Sequence, residues 1–199
     1  ERVRERIGDR VRIVDLGAGG RRITKGTICL DFVPGPGTDV VGDVQRLPFA
    51  GGAIDLVFAT GLLEHVEDDR ALLAEIHRIL RPGGLAHVEI PFLEQYHEDP
   101  IDCRRMTVDG LDRAMRRAGF RTIGRGAHIG PTVALLNTAA RWSALWFEGE
   151  SRSAKALSFG CFAALSVLFW PLRFLDRFLI RKKGAHTLAM GVYFTGEKV

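Results

Sequence analysis

Short apolar runs that stop in glycine turns alternate along most of the chain with stretches whose apolar residues return every three or four positions. The first kind reads as buried strand and the second as amphipathic helix. Residues 11–15 (VRIVD) predict a parallel strand feeding the turn LGAGG, with a helix beginning after that turn. Residues 28–31 give a second strand ending in an acid, ahead of PGPG at 34–37, and residues 39–41 a brief third. The almost wholly apolar stretch 53–59 (AIDLVFA) predicts a fourth strand covered on both faces. Asp68 or Asp69 caps the next helix, which gathers Leu72, Leu73, Ile76, Ile79 and Leu80 on one face and ends at Arg81-Pro82-Gly83-Gly84. Strand returns at 85–91, helix at 107–118 with Leu111, Met115 and Ala118 together, and strand again at 120–123. This alternation predicts an α/β protein with an open parallel sheet between helices.

The pattern then changes. Two helical stretches are expected at 131–147 and 154–181, followed by a final edge strand within 186–198. Residues 156–172 (ALSFGCFAALSVLFWPL) carry no formal charge, yet the run is at the short limit for a bilayer span and Pro171 lies near its end. A true span would also put the last strand across the membrane from its sheet. The stretch is therefore expected to be a lid over a pocket, a face lying on a membrane, or a contact with another subunit.

Charge sharpens that choice. Between residues 150 and 183, Arg152, Lys155, Arg173, Arg177, Arg181, Lys182 and Lys183 face only Glu150 and Asp176, so this stretch is strongly basic in a chain of net charge +4. The basic groups flank an apolar segment rather than lining a polar groove, which argues against a nucleic-acid partner. At 199 residues, 46% hydrophobic and 26% charged with 23 glycines, the chain is expected to be a single domain, 1–199, with 131–183 an apolar helical insertion in it. Cys29, Cys103 and Cys161 form no CxxC pair, and the opening ERVRERIGDR has no apolar core to serve as a leader. A cytoplasmic protein is expected, at the inner face of the membrane if the insertion meets lipid.

Asp15, Gly17 and Gly19 directly follow the first strand, where glycine lets backbone approach a ligand. Asp31 ends the second strand, where a carboxylate can accept both hydroxyls of a ribose, and Asp43 follows the third. Each acid taken singly reads equally well as a turn cap. Taken in order, they read as a nucleoside site beyond the carboxyl ends of the strands.

The ordered series VDLGAGG, Asp31, GDVQRLPF, AIDLVFATGLLEHVED, ILRPGG and LAHVEIPF resembles the class I S-adenosylmethionine-dependent methyltransferases, in their small-molecule, methyltransferase type 11-like branch, over residues 11–127. The resemblance implies a Rossmann-like, mostly parallel seven-stranded sheet with an antiparallel C-terminal strand. It implies S-adenosyl-L-methionine as cofactor, wrapped by Asp15, Gly17 and Gly19, with Asp31 on the ribose and Asp43 and Val44 at the adenine. The turn at 60–65, with Thr60 and Glu64, closes over it. A third glycine expected near Arg21 is absent. A nicotinamide-binding Rossmann protein is the competing family; LPF, LLEHVED and the reversed last strand fit it less well.

Methyl transfer from a sulfonium asks the protein mainly to align an acceptor, with a base for its proton. His97 is the candidate base, Tyr96 shapes the acceptor pocket, His65 supports the site, and Arg104 or Arg105 meets an anionic group on the substrate. Glu94, Glu98 and Asp99 share the His97 loop. His65, Glu67, Asp68 and Asp69 lack ligand spacing, so no metal is expected. The closing portion is similar to bacterial methyltransferases, some of them associated with glycan or cell-envelope pathways. The expected reaction is methyl transfer to a small-molecule acceptor, an oxygen of a saccharide or lipid-linked glycan. The alternatives are an isoprenoid or other hydrophobic acceptor, and a non-catalytic cofactor-binding scaffold.

Overall fold

The computed structural model describes residues 11–97 and 100–199. The N-terminal stretch read as lacking a leader lies outside the described residues, as do Glu98 and Asp99. In chain order the elements are β1 (Ile13–Leu16), β2 (Ile28–Asp31), β3 (Val40–Val41), β4 (Ile54–Thr60), α1 (Asp69–Ile79), β5 (Leu80–Pro91) and α2 (Val108–Arg117). There follow β6 (Phe120–Ile129), α3 (Pro131–Leu145), α4 (Arg152–Leu168), the short α5 (Asp176–Leu179) and β7 (Gly191–Lys198).

Seven strands form one sheet in the order β3-β2-β1-β4-β5-β7-β6, parallel through its first five positions, with antiparallel strands at the C-terminal end. β1 is buried along its whole length, as its run of apolar residues requires at the centre of such a sheet. α1 starts where Asp68 accepts a hydrogen bond from the Ala71 N–H, and it buries Leu72, Leu73, Ile76 and Ile79. α2 begins in the same way, Thr107 accepting from the Gly110 N–H.

Four expectations are corrected. No helix follows the glycine turn: residues 17–27 are turns and coil, because the stretch 21–26 would make under two helical turns. The Pro82-Gly83-Gly84 stretch does stop α1, but it lies inside β5 as a bulge between the Ile54–Leu80 and Leu56–Leu85 pairs, with Gly83 at φ 74°. The long helix expected over 154–181 breaks after Leu168 into a 3₁₀ turn, Trp170–Leu175, and α5, because Pro171 has no N–H to continue the ladder. The last strand is no edge: β7 sits between β5 and β6, and β6, running on to Ile129, takes the edge.

The described residues form two compact units, one of residues 11–91, His97–Gly126 and Tyr193–Val199, the other of Phe92–Tyr96 and Ala127–Val192. In the second, the buried Asp176 carboxylate accepts hydrogen bonds from the Thr132 N–H (2.9 Å) and the Val133 N–H (3.1 Å), capping α3 from a distant point in the chain. Gly130 permits this approach, since a Cβ there would lie 2.3 Å from the Asp176 carboxyl carbon. α3 buries Thr132, Ala134, Ala140 and Ala144, while Trp142 and Trp146 stand in solvent.

Candidate cofactor and acceptor site

The first unit gathers the expected cofactor residues at the carboxyl ends of its strands. Gly17 leaves β1 at φ 68° and its N–H donates to the Leu30 carbonyl of β2 at 2.9 Å. A Cβ at Gly17 would lie 2.9 Å from Leu62 Cδ1, so only glycine lets the turn after β4 close against it. Gly19, at φ 56°, has the opposite character: nothing lies within 4 Å of where its Cβ would be. The turn is therefore tight at Gly17 and open at Gly19.

Asp31 is tied to that turn. Its Oδ2 accepts from the Gly19 N–H at 2.9 Å and its Oδ1 from the Val33 N–H at 3.1 Å. Each oxygen keeps accepting capacity for a hydroxyl. The Asp31 carbonyl accepts from the Gly42 N–H at 3.0 Å, which brings the third strand's turn alongside. There Asp43 is exposed and Oδ1 accepts from the Gln45 N–H at 2.8 Å, with Val44 half-buried beside it. The turn-cap reading of both acids is thus realised in the geometry, and it does not use up either carboxylate. The neighbouring LPF segment is held by α1: Glu75 accepts from the Leu47 N–H, and Arg78 donates to the Leu47 and Phe49 carbonyls.

Asp15 is only 3% exposed, and its Oδ1 is buried with no hydrogen-bond partner. Burial pushes this carboxyl up to about 6, against the opposing pull of the Arg21 charge. A buried carboxylate oxygen left unsatisfied beside an open glycine turn is what a cationic ligand group would satisfy. These residues fit a cofactor that carries an amine and a ribose. Arg21 stands where the third glycine was expected, and the cost to the turn is small: its own N–H closes onto the Ala18 carbonyl at 3.0 Å and its side chain is exposed.

On the other side of β1, Thr60 ends β4 half-buried, and Gly61 (φ 63°) turns the chain into the 3₁₀ turn Leu63–His65. Glu64 is buried, and its carbonyl accepts from the Cys103 N–H at 2.7 Å. The His65 Nδ1 lies 2.5 Å from the Ile101 carbonyl, which leaves Nε2 facing Glu64 Oε1 at 4.0 Å. His97 meets the His65 ring edge-on at 5.2 Å, and its Nδ1 is 3.8 Å from Asp102 Oδ2. That carboxylate also accepts from the His97 backbone N–H at 2.8 Å. Hydrogen bonds from Arg105, with the His97 N–H, hold Asp102 down to about 2, so it stays ionised.

The structure thus brings His65, His97 and Glu64 together, but Tyr96 belongs to the second unit and is largely exposed. Both arginines offered for the substrate already have partners. Arg105 is paired with Asp102, and Arg104 with Asp69 (2.9 Å) and the Glu67 carbonyl (2.7 Å). Sequence reasoning missed Asp102, whose only signal was a spacing of three residues before an arginine. It also missed a ligand set: Glu64, His65 and His97 offer atoms that all lie within 4.8 Å of one another, a different group from the acids set aside above.

The family described as a methyltransferase domain matches residues 8–88. The biotin biosynthesis bifunctional protein BioHC of Cellvibrio japonicus is 31% identical over 98 residues, which are 40% of this chain and 20% of that protein. The chain therefore spans about a fifth of that relative's length. Among solved structures, a S-adenosylmethionine-dependent methyltransferase of Thermotoga maritima superposes with a TM-score of 0.59 at 16% identity, covering all of this chain and 86% of the other. The [4+2]-cyclase SpnF superposes at 0.58 with 18% identity, covering 98% and 78%. These likenesses show the fold, and the cyclase among them is a reminder that this fold hosts more than one reaction. With the glycine turn, Asp31 and the sheet order in the arrangement described, residues 8–88 match the methyltransferase-domain family and the chain has the Rossmann-like fold of S-adenosylmethionine-dependent methyltransferases.

Proposed function

We propose that the chain binds S-adenosyl-L-methionine at the ends of β1, β2 and β4 and directs its methyl group to a small-molecule acceptor. One observation carries this reading: the turn that follows Asp15, tight against Leu62 at Gly17, donates its Gly19 N–H to Asp31, and the Asp15 carboxylate has a buried oxygen with no partner. Asp15 takes the cofactor's ammonium and Asp31 its ribose hydroxyls, while Asp43 and Val44 border the adenine, and Thr60 and Glu64 close the far side. Arg21 supplies a positive charge for the amino-acid carboxylate, replacing the N-terminus of the helix that this chain lacks. Bound there, the cofactor supplies a methyl group already activated on a sulfonium.

The residues after β4 and β5 serve the acceptor. Asp102 holds the His97 backbone through its N–H and, 3.8 Å from Nδ1, steadies the positive charge when Nε2 takes the acceptor's proton. His65, fixed by the Ile101 carbonyl, packs against that ring and keeps it in place. The acceptor atom we assign is an oxygen of a saccharide or lipid-linked glycan, met at the cytoplasmic face of a membrane. The ionised Asp102 behind a histidine base suits a hydroxyl, and the basic, apolar stretch at 150–183 suits a lipid-bearing substrate.

The Glu64, His65 and His97 cluster favours a second reading, in which a divalent cation held by these nitrogen and carboxylate donors binds the acceptor oxygen. Titration of zinc into the metal-free protein separates the two. Tight binding lost in His97→Ala supports the cation, and its absence leaves His97 as the base. The cofactor assignment itself is tested by calorimetric titration of S-adenosylhomocysteine. Asp31→Ala should weaken binding by about a hundredfold or more while leaving the circular dichroism intact, two charge-assisted hydrogen bonds being removed. Unchanged affinity would take Asp31 out of the site.

A further inference from the structure

We infer that the second compact unit docks on an anionic bilayer surface through α4 and the 3₁₀ turn that follows it. The 17 residues of α4 include none that is buried. Phe159 and Val167 are 73% and 74% exposed, and Leu168 and Trp170 stand in solvent beside them. One side of α4 packs on α3, where the Ser158 hydroxyl donates to the Ala144 carbonyl at 3.0 Å. Single apolar residues on a surface need no explanation, but the row of Leu157, Phe159, Val167 and Leu168 on its outer side, in a run free of charge from residue 156, marks a face that something else covers.

The shape of this face suits a surface better than a crossing. No single helix among the described residues is long and apolar enough to traverse a membrane. Residues 152–168 and 170–179 reach such a length only together, and they bend by 47° at the break. A bent pair of this kind can lay its apolar side into the headgroup boundary. At its C-terminal end the apolar face meets cations seated on aromatic rings. The Arg173 guanidinium lies 3.9 Å from the Trp170 ring centroid, and that of Arg177 5.1 Å from Phe174. An aromatic body with a cationic head over it places hydrocarbon and charge at two adjacent depths, as the lipid interface does.

Charge selects the occupant. Arg173, Arg177, Arg181, Lys182 and Lys183 are accompanied only by Asp176, whose carboxylate is engaged by the Thr132 and Val133 N–H groups. A second copy in two-fold contact through this face would set these cations against their own kind. An anionic leaflet offers hydrocarbon to α4 and negative headgroups to the basic rim.

The inference stands apart from methyl transfer and is tested by co-sedimentation of the whole chain with lipid vesicles. Vesicles of phosphatidylcholine with phosphatidylglycerol should pellet the protein, and phosphatidylcholine alone should do so about tenfold less well. Phe159→Asp with Val167→Asp should abolish pelleting, and Arg173→Glu with Arg177→Glu should erase the preference for the anionic lipid. Both double variants should keep wild-type circular dichroism and wild-type affinity for S-adenosylhomocysteine, because the exchanged side chains are exposed. Equal recovery in the supernatant with and without vesicles overturns the proposal. So does a dimer in sedimentation equilibrium that the Phe159 and Val167 exchange dissolves and anionic vesicles do not.

Discussion

α1 and α4 are both helices with abundant apolar residues, and they treat those residues in opposite ways. α1 keeps Leu72, Leu73, Ile76 and Ile79 on one face and buries all four. α4 buries none of its apolar residues fully and leaves Leu157, Phe159, Val167 and Leu168 exposed, while its neighbour α3 buries alanines and exposes tryptophans. An amphipathic stripe implies a partner within the same compact unit, since a sheet has one face to give it. An apolar face left exposed, next to small inward residues, implies a partner outside the chain. Two buried acids, one in each unit, also differ in how they are satisfied. Asp176 is engaged by two backbone donors, whereas Asp15 has one oxygen unmatched.

The largest effect should come from the stripe. Ile76→Ala is expected to cost about 2–5 kcal/mol, because it empties a fully buried position; the shift in denaturation midpoint measures it. A loss below about 1 kcal/mol would mean that the α1 stripe is not the core contact described here.

Next is Asp15. A carboxyl raised to about 6 in the fold binds protons that the unfolded chain, near its ordinary 3.8, has released. Its favourable contribution is complete below about pH 4 and is lost as pH climbs to about 6. Asp15→Asn should therefore stabilise the ligand-free protein near neutral pH by up to about 3 kcal/mol, while S-adenosylhomocysteine binding falls. In the wild type, affinity for that ligand should rise between pH 5 and 7 as the carboxylate ionises to meet the ammonium. Thermal melts and titrations across that range check both statements. A variant that is both less stable and fully binding would make Asp15 a structural acid.

Removing the cap on the second unit should cost less. Asp176→Ala leaves two N–H groups at the start of α3 without their acceptor, for about 1–2 kcal/mol, read as faster amide exchange along α3. The smallest effect belongs to α4. Phe159→Ser should change stability in solution by no more than about 0.5 kcal/mol, as at an exposed position. A loss as large as that of Ile76→Ala would erase the contrast between the two helices.

Much of the first unit was legible in the sequence because its local signals agree with its tertiary role. The VRIVD and AIDLVFA runs, the cap at Asp68 and the stop at Gly119 each combine a pattern with turn chemistry. The order Asp15, Gly17, Gly19, Asp31, Asp43 carried over for the same reason: parallel strands deliver their carboxyl ends to one rim, so acids at strand ends converge. What was misjudged concerned relations that no short window contains. The gap between Gly20 and Ile28 was there to be counted, yet a glycine turn after a strand suggests a helix until the room for one is measured. The bulge in β5 depends on its register with β4, and the interior place of β7 depends on strand order. Arg104 and Arg105 looked available because their partners, Asp69 and Asp102, were not read as partners.

By itself the sequence determined the alternation of strand and helix, the sign and position of the charge excess, and which residues stand at strand ends, since these follow from periodicity and counting. Only the tertiary structure decided that the Gly19 N–H caps Asp31, that an oxygen of Asp15 is buried without a partner, that Asp102 stands behind His97, and that α4 leaves Phe159 and Val167 exposed. Each of these joins groups distant in the chain or depends on what does not pack against them. Solvation and hydrogen-bond satisfaction are set by such neighbours in space.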